Sequence, residues 1–172
     1  MMALFIGPNG SGKSAAAERL AVGLSHGTAR KLVYVATMVP ADDDGRRRIA
    51  AHRRGRSGLG FVTCESPRAE NLDFVGADDV VLLEDVSNLL ANLTFSAHAV
   101  MGADAESAAL ERIQNLRSRC RHLVAVTIGG LFPQPGFDDA TAAYIEALDR
   151  VNTALARQAD RVIAMPGGEE RR

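Results

Sequence analysis

Gly7-Pro-Asn-Gly-Ser-Gly-Lys-Ser14 stands between a short apolar run, Ala3 to Ile6, and a stretch with helical spacing, Ser14 to Leu24. It fits the pattern glycine, any four residues, then Gly-Lys-Ser. A strand before it and a helix after it are the context that makes such a segment a phosphate-binding loop. Gly7, Gly10 and Gly12 let successive backbone N–H groups turn toward one anion, and the helix adds its positive N-terminal end. Lys13 brings a slim, flexible ammonium to the β- and γ-phosphates, and Ser14 offers a hydroxyl to Mg2+. With Pro8, Asn9 and Ser11 completing the loop, Gly7 to Ser14 form the expected nucleotide-binding set. A chance glycine turn would match the four fixed positions on the order of 1% of the time in a chain this long.

The rest of the chain supplies the sheet that such a loop needs. Ala3 to Ile6, Leu32 to Ala36, Val80 to Leu83, Leu123 to Thr127 and Val162 to Met165 read as strands buried on both faces. Helical spacing covers Ser14 to Leu24, Asp44 to Arg54, Ser87 to Ala99, Ala105 to Arg119 and Asp139 to Gln158. The alternation predicts an α/β fold, a mainly parallel sheet with helices on both faces. Phe61 to Glu65 is a further short strand, at an edge or antiparallel. At 172 residues and 47% hydrophobic, the chain is expected to be a single nucleotide-binding domain, 1–172. Its longest irregular connection, Ile128 to Asp138, falls at the carboxyl end of a strand, where such sheets bind ligands.

A phosphate loop calls for an acidic residue at the end of a neighbouring buried strand, holding the metal or its water. Val80-Val-Leu-Leu-Glu84-Asp85 supplies it. If the strand continues, adjacent carboxylates point to opposite sides, so only one faces the phosphates. Glu84 is the first choice and Asp85 the reserve. Ser14 and Glu84 are the expected metal-binding pair.

Charge narrows the partners. Lys and Arg total 20 against 21 Asp and Glu, a net charge of −1, which speaks against a coat for nucleic acid or an anionic membrane. Aromatic residues are 5% and Trp is absent, leaving few platforms on which single strands could stack. The basic residues are nonetheless clustered: Arg46, Arg47, Arg48, Arg53, Arg54 and Arg56 surround His52 within one predicted helix and its exit. Acids at its start and bases at its end match the helix dipole, and a solvated basic helix would account for the pattern. A bound triphosphate would account for it equally. Arg48 and His52 are four apart and share a face. His26, His98 and His122 are scattered and read as structural or surface residues. Cys64 and Cys120 form no C-x-x-C pair and suggest neither zinc nor a disulfide, an intracellular pattern. No apolar run is long enough for a signal peptide or a membrane span, so the expected location is the cytoplasm.

The order of motifs resembles that of the bifunctional adenosylcobinamide kinase and adenosylcobinamide-phosphate guanylyltransferase family of cobalamin biosynthesis. The resemblance rests on the phosphate loop, Tyr34-Val-Ala-Thr37, Arg48-Ile-x-x-His52 with Arg56, Thr63-x-Glu65-x-Pro67, Leu82-Leu-Glu84, Asn92-Leu93, Val126-Thr127 and Arg150-Val-Asn152. It implies a RecA-like P-loop NTPase fold that phosphorylates adenosylcobinamide with ATP or GTP and then transfers GMP from GTP to the product. It further implies His52 as nucleophile, with Lys13 and Glu84 also catalytic. Arg48, Arg53, Arg56 and Glu65 would then belong to the nucleotide site, Mg2+ would be the cofactor, and the assembly would be a homo-oligomer, a trimer. The chain departs from the family's pattern at Ile128-Gly129-Gly130-Leu131, where a polar segment is usual, and at Glu146, where a basic residue is usual. Two other readings stay open: a P-loop kinase for another small acceptor, and a nucleotide-binding regulatory protein without catalysis.

Overall fold

The computed structural model describes residues 1–27, 31–40, 43–95 and 103–167; the side chains of Asp44, Arg48, Ala51, His52 and Ala103 lie outside that description. The elements alternate as the apolar pattern predicts. They run β1 (Met2–Gly7), α1 (Lys13–Ser25), β2 (Leu32–Ala36), α2 (Asp43–Gly55), β3 (Phe61–Glu65) and β4 (Val80–Glu84). Then come α3 (Val86–Phe95), α4 (Ala103–Arg119), β5 (His122–Ile128), α5 (Asp139–Gln158) and β6 (Arg161–Ala164). The α3 stretch predicted to reach Ala99 is described as far as Phe95; His98 lies outside the described residues. No helix among the described residues is long and apolar enough to cross a membrane.

The strands form one sheet in the order β3-β2-β4-β5-β1-β6, and every pairing is parallel. The strand that feeds the phosphate loop is separated from the acid-bearing β4 by one strand, β5, which is the RecA-like arrangement. Alternate residues of each strand face opposite layers. Met2, Leu4, Val33, Val35, Val81 and Leu83 pack under α3, α4 and α5. Phe5, Tyr34, Leu82, Val124 and Val126 pack against Ala17 and Ala21 of α1. Alanines let α1 lie close to the sheet, which brings its first turn over the ends of the strands. At the far end of the chain Asp138 caps α5, its carboxylate accepting from the Thr141 N–H at 2.7 Å.

One expectation needs correction, and of the two readings open for Phe61 to Glu65 the edge strand holds. β6 is not buried on both faces: it is an edge strand paired only with β1, Ile163 packs partly buried on the α1 side, and Val162 is 47% exposed. β3 is the opposite edge, and it runs parallel to β2 rather than antiparallel, because a whole helix, α2, separates the two in sequence.

Candidate active site

The phosphate loop opens where β1 ends. Gly10 and Gly12 have φ of 76° and 78°, a left-handed conformation that residues with a Cβ rarely adopt, and Gly12 sits at the cap of α1. Lys13 begins the helix and is 6% exposed, its Nζ donating to Pro8 O at 3.1 Å. The ammonium thus folds back over its own loop. Ser11 Oγ is buried with no hydrogen-bond partner among the described residues. Gly7 is held from outside, with backbone of Met165 so close that a Cβ there would lie 2.5 Å from the Met165 carbonyl oxygen.

Beside the loop lies a cleft of about 630 Å³, a size typical of small-molecule sites. Asn9, Gly10, Gly12, Lys13 and Ser14 form one wall. Glu84 and Asp85 form its floor, while Tyr34, Arg56 and Glu65 line it from the β2–β3 side. Parallel register explains the floor: Ala36 pairs with Glu84, so β2 and β4 end at one level, while β5, whose Val126 pairs with Glu84, runs on beside β1 to Ile128.

Both carboxylates face the cleft, contrary to the expectation that only one would. The strand stops at Glu84 and the chain turns at once into α3, so strand alternation no longer applies to Asp85. Asp85 caps that helix, accepting from the Asn88 N–H at 2.6 Å and the Ser87 hydroxyl at 2.5 Å. Burial pushes its carboxyl above the usual range, while those hydrogen bonds and the nearby Lys13 charge act the other way. Thr37 fastens the corner: its hydroxyl donates to Asp85 O at 2.8 Å and accepts from Asp85 N–H at 2.7 Å. Asn92 then ties Thr37 O to Pro67 O, at 2.8 Å each.

Arg56 is 6% exposed, and its Nε and Nη1 have no hydrogen-bond partner among the described residues. Its guanidinium lies over the Tyr34 ring, Cζ 3.5 Å from the centroid. A buried cation with donors left open is costly unless an anion takes them. Arg53 reaches the cleft only through Glu65, to which its Nη2 donates at 2.7 Å; both side chains are substantially exposed. Arg48 and His52 belong to α2 by backbone, and their side chains lie outside the described residues. His26 is exposed and His122 half-buried, neither in the cleft. Cys64 and Cys120 are free thiols.

Tyr34 and Thr37 enter the site without having been singled out by residue type. The signal was present: Tyr34 carries the one polar tip inside an apolar strand, and Thr37 follows the strand's last residue.

A metal fits this floor. Among the described residues no three His, Cys, Asp or Glu side chains cluster into a closed cage. A hydroxyl from Ser14 and a carboxylate from Glu84 are the donors Mg2+ takes when substrate phosphates and waters complete its shell.

A second hollow, about 380 Å³, lies between α4 and the 69–73 segment. Arg112 and Arg119 line it, and both are satisfied within the chain. Arg112 Nη1 donates to Arg68 O and Glu70 Oε1, each at 2.6 Å. Arg119 donates to Asp73 and to Asn115 Oδ1.

A family model described as cobinamide kinase / cobinamide phosphate guanyltransferase (CobU) matches residues 3–171. The bifunctional adenosylcobalamin biosynthesis protein CobU of Salmonella typhimurium is 31% identical, the alignment covering 98% of this chain and 97% of that protein. The protein of the same name from Escherichia coli is 32% identical with the same coverage. The crystal structure of the flagellar accessory protein FlaH from Methanocaldococcus jannaschii aligns with 95% of this chain and 70% of its own, at 15% identity and a TM-score of 0.49.

Proposed function

The chain belongs to the cobinamide kinase / cobinamide phosphate guanyltransferase family, nucleotide-dependent transferases, and on that premise we propose that its one domain performs both reactions. It phosphorylates adenosylcobinamide with ATP or GTP and then converts the product to adenosylcobinamide-GDP with GTP. The observation that carries this reading is the cleft itself, where Lys13, Ser14, Glu84 and Arg56, two of whose donors have no partner among the described residues, line one space.

In the first reaction the loop N–H groups and Lys13 hold the phosphate chain, and the acceptor hydroxyl oxygen attacks the γ-phosphorus in line: a P–O bond forms, the bond from that phosphorus to the β,γ-bridging oxygen breaks, the nucleoside diphosphate leaves, and the hydroxyl proton passes to solvent. Ser14 and Glu84 would hold Mg2+, which would supply neutralisation of the phosphate charge. In the second, a neutral His52 nitrogen attacks the α-phosphorus of GTP. A P–N bond forms, the bond to the β-phosphate oxygen breaks, and pyrophosphate leaves. An oxygen of the cobinamide phosphate then attacks that phosphorus, the P–N bond breaks, and His52 returns neutral. Arg48, Arg53 and Arg56 screen the triphosphate and the leaving charge, Arg53 by exchanging Glu65 for phosphate.

Incubation with Mg2+ and GTP labelled at the α-phosphate is expected to give an acid-labile protein label that His52→Ala lacks. The absence of any protein-bound label at saturating GTP would overturn the second half-reaction. One observation favours a second reading, transfer to a different small acceptor. The loop after β5 presents Leu131, Phe132 and Phe137 at 41%, 75% and 45% exposure, and its first part, Ile128 to Leu131, stands where the family's pattern is polar. Mass analysis of products formed from adenosylcobinamide separates the two: unaltered substrate beside a labelled protein supports the second.

A further inference from the structure

Tyr34 makes two contacts that meet in the cleft. Its hydroxyl donates to Glu84 Oε2, and the Arg56 guanidinium rests on its ring. The ring in turn is fixed: it is 3% exposed and packs edge-on against Phe61, with centroids 5.7 Å apart and planes at 88°. Tyr34 and Glu84 stand on adjacent strands, β2 and β4, whose register places Tyr34 opposite Leu82 and Ala36 opposite Glu84. A rigid residue between two groups of opposite charge sets where each can be. The phenolic hydroxyl is the donor in that contact and the Glu84 carboxylate its acceptor. Phenylalanine would fill the same space and support the same guanidinium. Only the contact to Glu84 requires the oxygen.

We propose that Tyr34 is a positioning residue for nucleotide transfer: its hydroxyl orients the Glu84 carboxylate toward the metal while its face holds the Arg56 guanidinium toward the phosphates. This rests on Glu84 and Arg56 being the metal-side and anion-side groups proposed above. The two halves of the role separate by substitution, because Tyr34→Phe removes only the hydroxyl and Tyr34→Leu removes both supports.

Binding of a non-hydrolysable GTP analogue, titrated by calorimetry at several Mg2+ concentrations, gives a readout independent of turnover. For Tyr34→Phe, Kd at saturating Mg2+ is expected within about twofold of wild type, with half-saturating Mg2+ raised about fivefold and kcat lowered about tenfold. For Tyr34→Leu, Kd weakens about tenfold more, and adding Arg56→Ala to it changes Kd by less than about twofold, since the two share one contact. Wild-type Mg2+ dependence and kcat in a folded Tyr34→Phe, or full additivity of Tyr34→Leu with Arg56→Ala, would overturn the proposal. Should Tyr34→Leu fail to fold, Tyr34→Phe decides alone. Absence of any transfer to adenosylcobinamide by wild type would sink the functional reading, and the Mg2+ titration would still judge Tyr34.

Discussion

Two hollows of this molecule are lined by arginine, and the arginines are in opposite states. Against α4, Arg112 and Arg119 find their carboxylates and carbonyls within the chain, so that hollow needs nothing from outside. Beside the phosphate loop, Arg56 is buried with two donors open and Lys13 has turned back on a loop carbonyl. The residue type is the same, but the guanidiniums of one hollow are hydrogen-bonded within the chain, while that of Arg56 has two donors with no partner among the described residues. An arginine count in a sequence therefore says little about ligand binding until the partner of each guanidinium is known.

The comparison breaks most visibly at Lys13. Lys13→Ala is expected to lower kcat/KM for the nucleotide about a thousandfold, since it removes a preorganised charge from the transferring group. A loss below tenfold in steady-state kinetics would move the main phosphate charge elsewhere. Arg56→Ala should weaken triphosphate binding about tenfold by calorimetry yet leave Tm nearly unchanged, because the cation–π contact it removes is offset by deleting a buried guanidinium with two donors that have no partner among the described residues. Arg112→Ala is the mirror case: it costs about 1 kcal/mol of stability in denaturant unfolding, allowing for solvent screening, and leaves nucleotide affinity untouched.

The smallest effect concerns acid. The hydrogen bond from Arg112 holds the Glu70 carboxyl below its ordinary range. A depressed folded-state value means a contribution present above the unfolded value, about 4.3, and lost as pH falls through the folded one. Glu70→Gln should accordingly lower stability slightly at pH 7 and flatten the acid limb of the profile, the variant and wild type converging in acid when unfolding is measured between pH 3 and 7.

The phosphate-loop wall was legible in the sequence because its chemistry is local: strand, turn and helix are contiguous, and the glycines and lysine act through backbone positions next to them. Glu84 was legible for a similar reason, standing at the end of an apolar run. The other wall was not. Arg56 could be marked as basic, but its lack of a partner depends on where β2 places Tyr34. Asp85, the reserve choice, was read on the condition that the strand continued; the chain instead turns into α3 with Asp85 as its cap. β6 looked like an interior strand from its apolar residues, since strand order, which makes it an edge, is set by contacts between distant segments. The helices, by contrast, began and ended within a few residues of their predicted positions because apolar spacing and caps such as Asp138 are short-range.

The close contacts around the end of β1 divide its glycines by origin. At Gly7 a Cβ would meet the Met165 carbonyl at 2.5 Å, and at Gly129 it would meet Ile6 Cγ1 at 2.4 Å, whereas nothing lies within 4 Å of a Cβ at Gly10 or Gly12. The first pair is imposed by the joints between β1, β5 and β6, the second by the shape an anion requires. A descendant that abandoned nucleotides could drift at 10 and 12 while remaining bound to glycine at 7 and 129. The two pairs are thus separate records, one of ancestry in the fold and one of continued use.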